Sequence, residues 1–302
     1  MRNYFIRFCN KIVRHTNWYN NSFWNGATKF WQINDFGLDV VNLGSGQGFY
    51  AFNYNGIDVK AQNWALGPQS ILHDYNILKN YFSYIREGGY VLIIICPFSC
   101  LVSQYDKKHN FKYYTFLHPA TMQNFDDRER TRALTIKANP FGQMPAYCVK
   151  QTIKEVLRKM KMMLFPPKKD IQKSADAMMS GWLKQFEISD LSAPLSEKHL
   201  TEQESRKKTL IEMVNFCKER ALKPVIVIPP MHHSLSSMFP PEFKTNFIDA
   251  FLRGIDVPVF NYMNDVLMDH EEYYQTALFL NEQGARVFTK RVLKDIGIYV
   301  CH

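Results

Sequence analysis

Four short, largely apolar runs, at 38–43, 90–96, 224–228 and 257–260, alternate with longer stretches whose apolar residues recur at helical spacing. Such runs read as strands buried on both faces, the pattern of a parallel sheet. Residues 70–86 carry Ile71, Leu72, Tyr75, Leu78, Tyr81, Phe82 and Ile85 on a helical period, and Gly88-Gly89 is placed to stop that helix before the next strand. Residues 196–222 repeat the pattern with Leu210, Ile211, Val214, Cys217 and Ala221. Residues 240–253 open on prolines suited to a first helical turn, and Phe243, Phe247, Phe251 and Leu252 form their apolar face. Residues 281–296 close the chain, with Val287, Phe288, Val292 and Leu293 directed inward. Strand and helix in alternation, joined by right-handed crossovers, predict a three-layer α/β/α sandwich around a parallel sheet. The sites of such sheets lie beyond the carboxyl ends of the strands. Residues 44–48, 97–100, 229–234 and 261–265 therefore share one rim.

The first run ends in Gly44-Ser45-Gly46-Gln47-Gly48, a turn that two protein classes use. In a methyltransferase the glycines let backbone approach S-adenosylmethionine, and Tyr54–Asp58 would be a second strand ending in a ribose-binding acid. From Gly44 to Asp58 there are fourteen positions, too few for a helix and a return strand, which need roughly 20. Asn42, not an acid, stands two residues before the first glycine. In an esterase the same turn presents a hydroxyl at the end of the first strand.

A net charge of +9 suits a polyanionic partner, such as an acidic glycan or an anionic membrane surface. Nucleic acid is not expected, because the basic cluster at 149–174 is not interleaved with a nucleic-acid fold signature; it reads as a solvated helix face. The six cysteines show no CxxC pair of the kind zinc or redox sites use, and read as buried or incidental thiols. Cys301-His302 reads as a frayed terminus. Residues 1–37 form an aromatic and basic arm, residues 38–302 the α/β domain, and 101–195 an insertion containing a basic helix at 151–164. The arm has no apolar core of signal-peptide length and the chain no run of roughly 18 apolar residues, so the cytoplasm is the expected compartment. The arm is expected to pack on the domain, with peripheral membrane contact as the alternative.

Residues 62–75, Gln-Asn-Trp-Ala-Leu-Gly-Pro-Gln-Ser-Ile-Leu-His-Asp-Tyr, the strand at 90–96, the run 224–230 and Phe279-Leu-Asn-Glu-Gln-Gly-Ala285 together resemble SGNH-type (GDSL-like) hydrolase-fold proteins of bacterial surface-polysaccharide loci. The resemblance implies a flavodoxin-like parallel sheet and a role in polysaccharide or glycan biosynthesis. It also implies a serine nucleophile in a Gly-x-Ser turn, with an Asp-x-x-His pair before Leu-Asn and Gly-Ala. Those places fall on Gly46, Thr276 and Phe279, none of which can perform acyl transfer or carry the proton. The resemblance therefore implies a catalytically impaired protein that binds a glycan, an acylated saccharide or a protein partner.

Asn63, Gln69 and the backbone of Gly46, Gln47 and Gly48 remain as oxyanion donors. An active carbohydrate esterase or O-acyltransferase would instead need Ser45 as nucleophile, His232 or His233 as base and Asp265 or Asp269 to orient it. The alternative roles are a turn-capping Ser45 and histidines that begin a loop. His73 and His199 read as surface or capping residues. A metal site from His232, His233 and Asp265 or Asp269 is the minor alternative, and neither a metal nor a cofactor is expected.

Overall fold

Val40 and Val41 are wholly buried, so β1 (Leu38–Asn42) is covered on both faces and needs a neighbour on each edge. β2 (Ala61–Asn63) and β3 (Ile85–Ile94) flank it, both parallel, with Val40 opposite Ala61 on one side and Tyr90 on the other. β4 (Lys223–Ile228) pairs with β3, placing Val227 against Ile94, and β5 (Val259–Asn261) pairs with β4. The computed structural model describes residues 2–102, 110–122, 125–165 and 168–298; Cys301-His302 lies outside these. The strand order β2-β1-β3-β4-β5 is the flavodoxin-like order, with helices on both faces of the sheet. Helix Ile71–Tyr81 packs with Glu197–Lys218 on one face. Right-handed crossovers place Glu282–Asp295 and the short helix Gly46–Ala51, which pack together, on the other.

Several local expectations change. Helix Ile71–Tyr81 stops early, and Gly88-Gly89 lies inside β3, where the register slips between Leu38↔Ile85 and Val40↔Tyr90. Gly88 sits at φ +70°, and a Cβ on Gly89 would lie 2.6 Å from Ile85 Cγ2 and 3.0 Å from Leu38 O. The pair is thus a bulge that the sheet requires to be glycine, not a helix stop. β2 has no apolar run to reveal it, since all three of its residues are half-buried at the sheet edge. β5 is the other edge, and its Val259 and Asn261 are exposed rather than buried. In the last helix Phe288, Val292 and Leu293 are fully buried, but Val287 is exposed.

Residues 35–106 and 169–302 make up this sheet unit; 1–34 and 107–168 fold as a second compact unit. The arm thus packs with most of the segment read as an insertion, whereas 169–195 belongs with the sheet. Aromatic rings build the core of the second unit. Trp24 is fully buried, stacks on Phe111 at 5.4 Å and meets Trp31 edge-on at 5.5 Å. Trp18 Nε1 donates to Thr152 Oγ1 at 3.1 Å.

The buried Glu155 carboxylate accepts the backbone N–H groups of Trp18 (2.7 Å) and Asn17 (3.1 Å) and pairs with Lys159 at 2.7 Å. It thereby caps the helical turn Trp18–Phe23 from outside that turn. Burial works to raise this carboxyl, but Lys159 and the two amides outweigh it and hold it below the ordinary 4.5. A depressed carboxylate stabilises the fold above its unfolded value, and that contribution disappears as pH falls through the folded value. Glu155→Gln is expected to cost this unit about 1–2 kcal/mol at neutral pH. Urea unfolding should show the difference from wild type shrinking below pH 4.5.

Candidate functional site

The three glycines after β1 are held for different reasons. Gly44 adopts φ +126°, and a Cβ there would stand 2.8 Å from Ile94 Cβ. Gly48 is closed by backbone, with Leu43 O 2.9 Å from where its Cβ would be. Gly46 has no such constraint. It begins the short helix, and its Cβ would meet only the rim of the Phe279 ring, at 3.4 Å. Asp74, almost fully buried on the neighbouring helix, braces the turn from below. Its Oδ1 accepts the Gly44 N–H at 2.7 Å and also the Gln69 side-chain amide, which in turn reaches Gly44 O at 3.1 Å.

Phe279 reaches Gly46 because residues 274–280 fold back on themselves. Gln275 N–H donates to Phe279 O at 2.9 Å, Phe279 N–H donates to Thr276 Oγ1 at 3.0 Å, and Tyr274 bridges Leu280. The three positions that the resemblance assigns to nucleophile, acid and base are therefore neighbours. Phe279 is half-buried and its ring lies 4.8 Å from that of Tyr50, which is also partly open to solvent. Phe279 enters the sequence reading only as the place where the resemblance expects a base, and Tyr50 is not singled out at all. The i, i+4 step from Gly46 to Tyr50 along the short helix is the signal that would have paired them with the turn.

Beyond β4, the backbone N–H of His232 donates to Ala277 O at 3.0 Å, which joins the histidine loop to the Thr276–Phe279 turn. His232 is buried, and its Nδ1 accepts from Ser234 N–H at 3.2 Å, so the neutral ring carries its proton on Nε2. Burial, then His233, pushes it below the ordinary 6.5. His233 is exposed and bonds Asp269, Nδ1 to Oδ2 at 3.0 Å. Burial works to raise the Asp269 carboxyl, but the amide and ring of His233 outweigh it and hold Asp269 below the usual carboxylate range. Potential ligand atoms of His232, His233 and Asp269 lie within 4.8 Å of one another, so this trio could hold a cation if His232 gave up its ring proton. Asp265 is not part of it; its Oδ2 faces Arg291 at 3.9 Å.

Other expected donors are already committed. Asn63 Nδ2 donates to Gly48 O, Phe49 O and Phe52 O at 3.0–3.2 Å, fastening the end of the short helix instead of facing the rim. Gln69 is spent on Gly44 and Asp74. Gln47 is buried and its Nε2 donates to Pro229 O at 3.3 Å, while its buried Oε1 has no partner among the described residues. Ser45 Oγ accepts the Gln69 N–H at 3.2 Å, and among the described residues it bonds no histidine. His73 and His199 are buried rather than superficial, bonded to Ser70 Oγ (3.0 Å) and Phe186 O (2.9 Å). Asp58 is exposed and precedes β2, so it is not at that strand's carboxyl end. Burial pushes the thiols of Cys96, Cys100 and Cys217 up to about 12, out of reach of nucleophilic chemistry at neutral pH.

A cleft of about 820 Å³ opens beyond β5, lined in part by Phe239, Lys244, Asn261, Tyr262, Asp265 and Arg291. Tyr262 OH donates to Asp295 Oδ2 at 2.8 Å, and Arg291 Nε reaches the same oxygen at 2.9 Å. Compared with known proteins, the chain matches no family model and no curated sequence.

Proposed function

We propose that this chain is a non-hydrolytic SGNH-like protein of glycan or polysaccharide assembly, which binds a saccharide where such enzymes cleave an ester. The observation that carries this reading is Gly46: no backbone constraint demands glycine there, and its open side faces Phe279, beside Thr276. The nucleophile, acid and base places are adjacent but hold no group able to attack an acyl carbon or shuttle a proton at neutral pH. What stands there instead is a tilted aromatic pair, Phe279 and Tyr50, partly open to solvent. Aromatic faces suit the C–H faces of sugar rings. The net charge of +9 favours an acidic glycan, free or carried by a partner enzyme.

The purified chain is expected to hydrolyse p-nitrophenyl acetate no faster than buffer does, while binding acidic oligosaccharides in calorimetric titrations. Phe279→Ala and Tyr50→Ala should each weaken that binding by about fivefold or more, as loss of an aromatic anchor does. Gly46→Ser combined with Thr276→Asp and Phe279→His should yield measurable esterase activity; a folded triple variant without any would sink the correspondence of positions.

A second reading rests on the His233–Asp269 bond, which has the base-and-orienter geometry of a hydrolase or acyltransferase using Ser45. Wild-type ester hydrolysis that vanishes in both Ser45→Ala and His233→Ala would establish it over the first. The methyltransferase reading would require S-adenosylmethionine binding in the same calorimeter.

A further inference from the structure

Helix Pro145–Leu164 packs on its unit through only part of its circumference. Cys148, Thr152 and Glu155 face inward, while Val149, Ile153, Val156, Leu157, Met160 and Leu164 are exposed. At 100° per residue these six share an arc of roughly 100°, beside the packed face. The adjoining arc carries Lys150, Lys154, Arg158 and Lys161, all exposed. The apolar residues are not marginal: Leu157 is 58% exposed and Met163, one position before Leu164, is 83% exposed. A helix in a water-soluble unit normally directs such a stripe into its own core. Here the core contact is made by the short polar and charged arc instead.

Helix Arg2–Arg14 repeats the arrangement. Tyr4, Phe8 and Ile12 form an exposed stripe, Arg7 and Lys11 border it, and Asn10 and Val13 face the unit's interior. Asn10 is fixed there by a 2.7 Å bond to Asn139, so the outward direction of the stripe is set by packing. Two helices of one unit each show an apolar stripe with an aromatic or methionine component and a cationic border. Among the described residues no helix is long and apolar enough to cross a membrane.

We infer that the unit formed by 1–34 and 107–168 docks on an anionic lipid surface, laying these two stripes into the headgroup boundary with the lysines and arginines at the phosphates. The occupant follows from charge. A second copy of the chain would bring cation against cation, because both stripes are bordered by Lys and Arg, whereas an anionic bilayer complements both the apolar area and its border. Glu155 is the acidic side chain nearest the stripe on its own helix, and it is turned inward and paired with Lys159.

The test is co-sedimentation of the full chain with vesicles of phosphatidylcholine and phosphatidylglycerol (3:1), against phosphatidylcholine alone. Binding to the anionic vesicles should exceed binding to the neutral ones by about tenfold and should weaken as salt is raised. Ile153→Ser/Leu157→Ser/Leu164→Ser and, separately, Lys150→Glu/Lys154→Glu/Arg158→Glu should each reduce it by about tenfold or more. All six residues are exposed, so both variants should keep the wild-type circular dichroism and unfolding midpoint. Wild-type protein that ignores anionic vesicles overturns the inference, as does binding that both folded variants retain. Self-association in sedimentation velocity that the serine variant abolishes, without vesicle binding, would assign the stripe to a second copy instead. None of these outcomes depends on saccharide binding or ester hydrolysis, so the result is separable from the site on the sheet.

Discussion

Gly44→Ala is expected to destabilise the sheet unit by about 3–5 kcal/mol, whereas Gly46→Ala, two residues on, should change stability by less than about 1 kcal/mol. At Gly44 two costs add. A non-glycine residue at φ +126° sits in a region that L side chains avoid, at about 1–3 kcal/mol, and its Cβ would overlap Ile94 Cβ at 2.8 Å. Ile94 is buried at the end of β3 and cannot retreat without disturbing the strand. At Gly46 the added methyl meets only the edge of Phe279 at van der Waals distance, and alanine is the better helix former. Denaturant unfolding of the two variants measures both numbers. Equal losses would mean that Gly46 is structurally required, and the idea of a vacated nucleophile place would fall with it.

The contrast also shows what the sequence can and cannot tell. β1, β3 and β4 are legible because Val40-Val41, Val91-Leu92-Ile93 and Val225–Ile228 are buried on both faces and carry no polar alternation. β2 is not legible, since an edge strand of three half-buried residues has neither period nor hydrophobic run. Three glycines in a row of five look equivalent as letters. Only the third dimension separates Gly44 and Gly48, which neighbours forbid from changing, from Gly46, which they do not. Asn63 and Gln69 fail as oxyanion donors for a related reason. An amide can serve a ligand or the backbone, and here the backbone carbonyls of Gly44, Gly48 and Phe52 claim both. The second unit was hidden because its two pieces, 1–34 and 107–168, are separated by three strands of the sheet unit and the helices Gly46–Ala51 and Ile71–Tyr81 between them.

Asp74→Ala should be the most damaging change among the polar residues of the turn, with an expected loss of about 3–4 kcal/mol and a fall in Tm of roughly 10 °C. Its carboxylate lies at the amino-terminal end of helix Ile71–Tyr81, where the helix dipole favours negative charge, and it is only 2% exposed. Removing it leaves the buried Gly44 N–H without its side-chain acceptor, at about 1–3 kcal/mol, and takes from the half-buried Gln69 amide one of its two acceptors, the other being Gly44 O. Asp74→Asn retains an oxygen that can accept from Gly44, so its loss should be about half as large. The Cys96 thiol supplies a local readout. Burial first, and then Asp74, pushes it up to about 12, so Asp74→Asn should lower it while the fold persists. Alkylation of Cys96 at pH 9 should therefore run faster in Asp74→Asn than in wild type. Unchanged stability in Asp74→Ala would mean that the turn stands without its brace, and that the placement of Gly46 against Phe279 must be set by the 274–280 fold alone.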